Sequence, residues 1–148
     1  MKNCFKISDS NFWNDINQAF GNKGGVYKII SNNNGMPRPV PRFLDDDEEG
    51  ILYIGKADSF LDRVIDLKKS IMLEYKGKKH NCGGRYKRLC EISAIAEKFP
   101  PDTLHVLLFP HDSPKVLESE FLQEYERRFG EVPPLNALGS SDRIRIKS

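Results

Sequence analysis

Three apolar runs along the chain have the composition of β-strands. They cover residues 25–31 (GVYKIIS), 50–55 (GILYIG) and 103–109 (TLHVLLF). β-Branched and aromatic side chains pack well on a pleated, half-buried surface, and glycine or proline pairs flank these runs. The pattern therefore predicts three strands.

Four other segments repeat their apolar residues at the spacing of an α-helix. They cover residues 8–20, a stretch that begins at Asp58 or Ser59 and ends near Gly77, residues 86–98, and a stretch from Ser113 to Phe129. Serine or aspartate precedes several of them as a helix cap, and Pro114 suits a first helical position. Pro100 and Gly130 mark two of the ends. Four helices are thus predicted.

The order helix, strand, strand, helix, helix, strand, helix indicates one domain that spans residues 1–148. A long loop at residues 32–49, with three prolines and an Asn-Asn-Asn-Gly turn signal, joins the first two strands as a hairpin. We expect an α+β fold (broadly, α/β) with a small three-stranded, mostly antiparallel sheet flanked by helices. The polar, basic tail at residues 139–148 is expected to be loose.

Composition alone gives no sign of a nucleic-acid or membrane partner. The 148 residues include 23 basic and 21 acidic side chains, for a net charge of +2. The basic residues are unevenly placed, however, since residues 76–88 (KGKKHNCGGRYKR) contain six lysines or arginines and no acid. A local cluster of this kind is typical of nucleic-acid contacts.

The cysteines and the N-terminus bear on location. The three cysteines have no Cys-x-x-Cys spacing, which argues against a disulfide framework or a zinc site and favours a reducing, cytoplasmic setting. The N-terminal residues lack the apolar core of a signal peptide, and no apolar run approaches the length of a membrane span. We therefore expect no membrane partner.

Several residues appear in an order that matches a known nuclease pattern. Gly-Val-Tyr ends at Tyr27, Tyr-Ile-Gly begins at Tyr53, and Arg63 stands ten positions beyond Tyr53. Glu118 follows in VLESEFLQEY and Asn136 in PPLNA. This ordered set resembles the GIY-YIG nuclease superfamily, which implies a GIY-YIG endonuclease-like fold and a hydrolase that cuts phosphodiester bonds in DNA.

The middle of the chain narrows the resemblance. Residues 80–89 (HNCGGRYKRL) are similar to a His-x-x-Gly-Gly-Arg segment in a bacterial branch of the superfamily. That branch points to small stand-alone or restriction-type nucleases, acting as a monomer or a homodimer. The choice among restriction, repair and a mobile element stays open.

The resemblance and general chemistry assign roles to these residues. Tyr27 would position or deprotonate the attacking water, Tyr53 would orient by a hydrogen bond, and the Arg63 guanidinium would stabilise the transition state. Glu118 would hold the divalent ion, Mg²⁺ or Mn²⁺, since a hard cation that keeps its waters needs few carboxylates. The remaining candidates are Lys56, at the scissile phosphate or at a solvated strand end; His80, in proton transfer or solvated; and Arg85, Lys87 and Asn136, as DNA contacts.

Three departures from the family pattern qualify the assignment. Leu67 occupies the position four residues after the helical arginine, where many members carry Tyr or His. The loop 32–49 is an insertion, and its acidic run 45–49 is read as a solvated tip directed away from DNA, with a second metal site as the alternative. Glu120 competes with Glu118 for the metal, although the two lie about 200° apart on a helix.

These departures leave two other functions open. A nucleic-acid-binding module with the same fold and no turnover would follow if Leu67 abolishes catalysis. A protein-interaction domain would follow if the acidic loop recruits a basic partner.

Overall fold

The computed structural model of the protein describes residues 3–71 and 97–136. Its strands are β1 (Cys4–Lys6), β2 (Gly25–Asn33), β3 (Met36–Pro37), β4 (Val40–Pro41), β5 (Asp46–Asp47), β6 (Ile51–Ala57) and β7 (Leu104–Pro110). Its helices are α1 (Phe12–Phe20), α2 (Phe60–Ile71) and α3 (Pro114–Phe129), with a 3-10 turn at Pro101–Thr103. Most of the predicted helix 86–98 and the tail 139–148 lie outside the described residues.

Strand β2 lies at the centre of the sheet. It pairs with β7 from Gly25 opposite Pro110 to Ser31 opposite Leu104, and with β6 from Gly25 opposite Ala57. Every strand pairing in the described residues is antiparallel. The mixed α and β composition and the antiparallel sheet are therefore confirmed.

The sheet has more strands than the three predicted. β1 pairs with β7 and forms an edge, with Phe5 opposite Val106. Its three residues are too few to show a period-2 pattern, so no strand was predicted there. A two-residue hairpin turn at Asn34 and Gly35 joins β2 to β3. Both residues have positive φ, as this turn requires.

The described ends of the helices lie close to their predicted limits, and the predicted end of α2 near Gly77 lies outside the described residues. α1 starts at Phe12 because residues 7–11 form turns, and α3 follows Ser113 with proline at its first position and ends before Gly130. Within the described residues, no helix has both the length and the apolar composition needed to cross a membrane.

Alternation along β2 divides the core between the two sheet faces. Tyr27 and Ile29 belong to a cluster with residues of α1 and α2, whereas Val26 and Ile30 belong to a cluster with residues of α3. The helical members of the first cluster include Phe12, Ile16, Phe60, Val64 and Leu67, and those of the second are Leu122, Tyr125 and Phe129. Consequently α2 and α3 cover opposite faces of the sheet.

The acidic run 45–49 is not wholly a solvated loop tip. Asp47 is fully buried, and its carboxylate accepts hydrogen bonds from the Tyr125 hydroxyl (2.9 Å) and from the backbone N–H groups of Glu49 and Ile51 (3.0 Å each). These three bonds satisfy the charge inside the protein. The expectation of a solvated tip is therefore wrong for Asp47, because this residue attaches the loop to α3.

Removing the Asp47 carboxylate should lower the free energy of unfolding. Asp47→Ala leaves the Tyr125 hydroxyl and two backbone donors without their acceptor, and we expect a loss of about 3 kcal/mol in urea denaturation. Asp46→Ala is the matched control, since Asp46 is exposed and its loss should cost less than about 0.5 kcal/mol. Equal stability of the two variants would contradict the anchoring role of Asp47.

The Tyr125 hydroxyl should make stability depend on alkaline pH. Burial, reinforced by the charge of Asp47, raises the pKa of Tyr125 above its ordinary value. The folded state therefore holds the proton more tightly than the unfolded state, so the contribution is complete below about pH 10 and is lost above it. Urea denaturation at about pH 8 and about pH 11 should show the stability difference between wild type and Tyr125→Phe shrinking. A difference that stays constant over this interval would refute this coupling.

Candidate active site at one end of the sheet

Of the six predicted site residues that the structure describes, four lie toward one end of the sheet: Tyr27, Lys56, Arg63 and Glu118. Tyr53 and Asn136 lie nearer the middle of β6. Gly25 begins β2 at the end where those four residues lie, opposite Ala57 at the end of β6 and Pro110 at the end of β7. We call this the Gly25 end. Because α2 follows β6 and α3 follows β7 after short connections, both helices begin at the Gly25 end.

Backbone hydrogen bonds join the segments that meet at the Gly25 end. The N–H of Phe60, the first residue of α2, donates to the Lys23 carbonyl (2.9 Å), and the His111 N–H donates to the Gly24 carbonyl (3.1 Å). The start of β2 is thus attached both to the start of α2 and to the connection before α3. Side chains in the first turns of the two helices therefore have fixed positions relative to β2.

Tyr27 and Tyr53 lie next to each other on the face of the sheet that α2 covers. Their ring centroids are 5.8 Å apart and the ring planes are tilted by 38°. Tyr27 is 1% exposed and belongs to the core, whereas Tyr53 is half-buried at its margin. Of the two phenols, Tyr53 is the one with more access to solvent.

Gly55 makes room for this pair. It lies directly across from Tyr27 in the register of β2 and β6. A β-carbon built on Gly55 would lie 2.6 Å from Cε2 of Tyr53 and 2.7 Å from both Cζ and the hydroxyl of Tyr27. The glycine of the Tyr-Ile-Gly triplet therefore admits the Tyr27 phenol, which any larger residue would displace.

Asn136 fixes the strand between Tyr53 and Gly55. Its Oδ1 accepts a hydrogen bond from the Ile54 N–H (3.0 Å), and its Nδ2 donates to the Ile54 carbonyl (2.9 Å). The amide thus makes the two hydrogen bonds to Ile54 that a neighbouring strand would make along the edge of β6. The DNA contact expected of Asn136 would have to replace or share these two bonds.

Two of the predicted site cations are exposed and are not engaged in contacts between described residues. Lys56 lies near the end of β6 and Arg63 in the first turn of α2, and neither side chain makes an ion pair or hydrogen bond with the described part of the chain. Lys68 differs, because its ammonium is buried and donates to the Asp9 carbonyl (2.9 Å). Lys56 and Arg63 are therefore available to bind an anion.

Lys28, unlike Lys56 and Arg63, is packed against aromatic rings. Its ammonium lies over the rings of Phe121 (4.5 Å) and Phe109 (5.1 Å) on the α3 face. Burial lowers the pKa of Lys28, against the raising effects of Glu49 and Asp47. Lys28 is thus held in the interior packing and is a poor candidate for a phosphate contact.

Glu118 does not share a sheet face with the tyrosines. It is half-buried in the second turn of α3, on the stripe that continues through Leu122, Tyr125 and Phe129 toward the sheet. Since α3 covers the face opposite Tyr27, the sheet lies between Glu118 and the tyrosine pair. Glu120, by contrast, is exposed on the outer side of the same helix.

With the described residues, Glu118 fits only a metal site that has a single protein carboxylate. No group of three or more His, Cys, Asp or Glu side chains within residues 3–71 and 97–136 is placed to hold a metal ion. A zinc-type site is therefore unsupported there. A single half-buried carboxylate still suits Mg²⁺, which keeps several waters and takes further oxygens from phosphate.

Leu67 and the loop residues complete the comparison with the sequence. Leu67 is completely buried in the core, so the position that carries Tyr or His in related patterns here points into packing. His80, Arg85 and Lys87 lie outside the described residues. Asp47 was missed as a buried anchor, since its neighbours in the acidic run are exposed and nothing in the sequence sets it apart.

Comparisons with protein-family models, with curated proteins and with solved structures gave no match.

The contact at Gly55 predicts a measurable cost of adding one methyl group. Gly55→Ala places a β-carbon against both tyrosines, and we expect the free energy of unfolding to fall by about 2 to 3 kcal/mol, with a change in the near-ultraviolet circular dichroism of the tyrosines. Gly35→Ala is the control. Its added carbon meets no atom within 4 Å, so only backbone strain from its φ of 80° remains, worth about 1 kcal/mol. A Gly55→Ala variant as stable as wild type would contradict close packing of the pair.

Proposed function

We propose that the protein is a metal-dependent DNA endonuclease of the GIY-YIG type. The observation that carries the proposal is the tyrosine pair across Gly55, since both motif tyrosines lie on one sheet face and the motif glycine is what allows them to touch. The available cations Lys56 and Arg63 at the Gly25 end add support.

Phosphodiester cleavage needs positive charge where negative charge grows in the transition state. The Arg63 guanidinium offers two parallel donors to the non-bridging phosphate oxygens, and Lys56 offers a second, compact charge. Both are exposed, so a DNA strand can reach them without rearrangement of the described core. These two residues bind and polarise the scissile phosphate.

The tyrosines act on the attacking water rather than on the phosphate. The proposal exchanges the roles that the sequence suggested for the two tyrosines, because Tyr27 is 1% exposed and Tyr53 is half-buried. Tyr53 holds the attacking water by a hydrogen bond, while Tyr27 packs behind it and limits the positions its ring can take. Asn136 supports this arrangement by fixing the backbone of Ile54 between Tyr53 and Gly55. Here the buried tyrosine contributes order and the half-buried one contributes the contact with water.

Glu118 would hold Mg²⁺ or Mn²⁺ at the Gly25 end. The ion would supply positive charge to the leaving oxygen, a role that needs one carboxylate and phosphate oxygens. Glu118 faces the sheet from the second turn of α3, and so its carboxylate is constrained by the helix.

Cleavage of supercoiled plasmid in Mg²⁺ or Mn²⁺ tests the proposal. Arg63→Ala and Glu118→Ala should each lower the cleavage rate by about 100-fold or more, which corresponds to about 3 kcal/mol of lost transition-state stabilisation. Lys69→Ala and Glu120→Ala are matched controls, because these residues are exposed on the same two helices. Both controls should cut at nearly the wild-type rate. Intact plasmid in both metals, or full activity of Glu118→Ala, would refute the proposal.

A nucleic-acid-binding module is the second candidate, and two observations favour it. Tyr27 is almost completely buried, and Glu118 lies on the opposite face of the sheet from it. A domain of this kind would bind DNA through Lys56 and Arg63 with strong salt dependence and would leave plasmid intact. Salt-sensitive binding that Arg63→Ala weakens, without cleavage in either metal, would select this function.

A further inference from the structure

The inserted segment forms one wall of an open groove of about 760 Å³ at the end of the sheet opposite the Gly25 end. Buried Val40, Leu52 and Leu135 line it, together with Met36 and Phe99. A volume of this size lies within the range of about 300–1,000 Å³ found for binding pockets. The groove begins at Leu52, directly before Tyr53 on β6, and continues along the inserted segment away from the Gly25 end.

The walls of the groove are held by hydrogen bonds. β4 pairs with β5, the Arg38 N–H donates to the Ser31 carbonyl (2.9 Å), and the Leu135 N–H donates to the Leu52 carbonyl (2.9 Å). Arg42 donates to the Val132 carbonyl (2.9 Å) and pairs with Glu131 at 3.0 Å. The groove is therefore preformed, which lowers the entropic cost of binding.

The charged residues that line the groove within the described part of the chain are all cations. Arg38, Arg42 and Lys98 are among the described residues that line it, and no carboxylate is among them. Arg42 is committed to Glu131, whereas Arg38 and Lys98 are exposed, with the Arg38 guanidinium 5.9 Å from the ring centre of Phe99. Two cations are thus available at the edge of an apolar floor.

The same segment carries unusual apolar exposure. Among the described residues, the large apolar side chains with the greatest exposure are Phe43 at 81%, Met36 at 71% and Leu44 at 60%, and all three belong to this loop. Of these three, Met36 lines the groove, whereas Phe43 and Leu44 lie beside Gly130 at the end of α3. An exposed apolar side chain beside an apolar groove suits a protein-binding surface. A duplex DNA contact would require a polar, phosphate-facing floor, and this floor consists of aliphatic side chains and prolines.

We propose that this groove binds a segment of another protein in which acidic residues stand beside aromatic or aliphatic side chains. The apolar side chains of that segment fill the floor over Val40 and Leu52, and its carboxylates pair with Arg38 and Lys98. This proposal does not rest on the nuclease function, since its cations Arg38 and Lys98 are not those assigned to the phosphate, although Leu52 of the groove directly precedes Tyr53.

Fluorescence anisotropy on the full chain tests the proposal. The probe is a short fluorescein-labelled peptide in which glutamate pairs alternate with phenylalanine and leucine. We expect it to bind wild type, and the double variant Arg38→Glu/Lys98→Glu to bind it at least about tenfold more weakly, because attraction becomes repulsion. Lys6→Glu is the control, since Lys6 is an exposed cation on β1 outside the groove, and it should leave the affinity unchanged.

A second variant and two further probes separate the alternatives. Met36→Ser should weaken binding several-fold while keeping the fold, as its side chain is mostly exposed. Absence of binding to wild type, or equal binding by Arg38→Glu/Lys98→Glu, would overturn the proposal. Equal binding of a peptide with serine in place of its apolar residues would reduce it to charge alone, and displacement by duplex DNA would assign the groove to nucleic acid; either result also overturns it. Plasmid cleavage measured on the same variants shows whether the nuclease proposal stands separately.

Discussion

Hydrogen bonding along both edges of β2 is the constraint on which the other elements depend. With β6 on one edge and β7 on the other, the strand cannot slip by one residue without moving Val26 and Tyr27 to the wrong faces. The register therefore decides that Tyr27 meets Gly55 and that Val26 meets the α3 layer. It also decides that the two helices that follow β6 and β7 begin at the same end of the sheet.

This constraint explains which parts of the fold could be predicted from the sequence. The three strands that build the central layer carry long apolar runs, and the helices carry periodic apolar stripes, so both were predictable from local patterns. The edge strand β1 was not, because its pairing partner lies about a hundred residues later and three residues carry too little pattern. Asp47 was missed for a related reason: its burial depends on Tyr125, which is distant in sequence.

The candidate site was also predictable only in part from the sequence. The adjacency of Tyr27 and Tyr53 follows from two strands that pair, whereas the close approach of both phenols to Gly55 depends on the register of those strands. The position of Glu118 was harder to predict. Sequence order gives the helix, but the face that α3 covers follows from tertiary packing of Leu122 and Phe129 against Val26 and Ile30. The consequence is a site split by the sheet, with the phenols on one side and the carboxylate on the other.

Because the sheet separates the two halves of the candidate site, the Gly25 end is where the proposed substrate would have to bind. Side chains from the two faces can act on one phosphate only if the phosphate lies across the end of the strands, where the sheet no longer separates them. Lys56 and Arg63 fit that geometry, since the first comes from the end of β6 and the second from the first turn of α2, and both are exposed. The inserted loop lies at the other end, and its buried Asp47 directs one acidic charge into the protein rather than toward the cations. The two proposed binding activities use different cations, Lys56 and Arg63 for the phosphate and Arg38 and Lys98 in the groove, and one small domain can therefore carry both proposals.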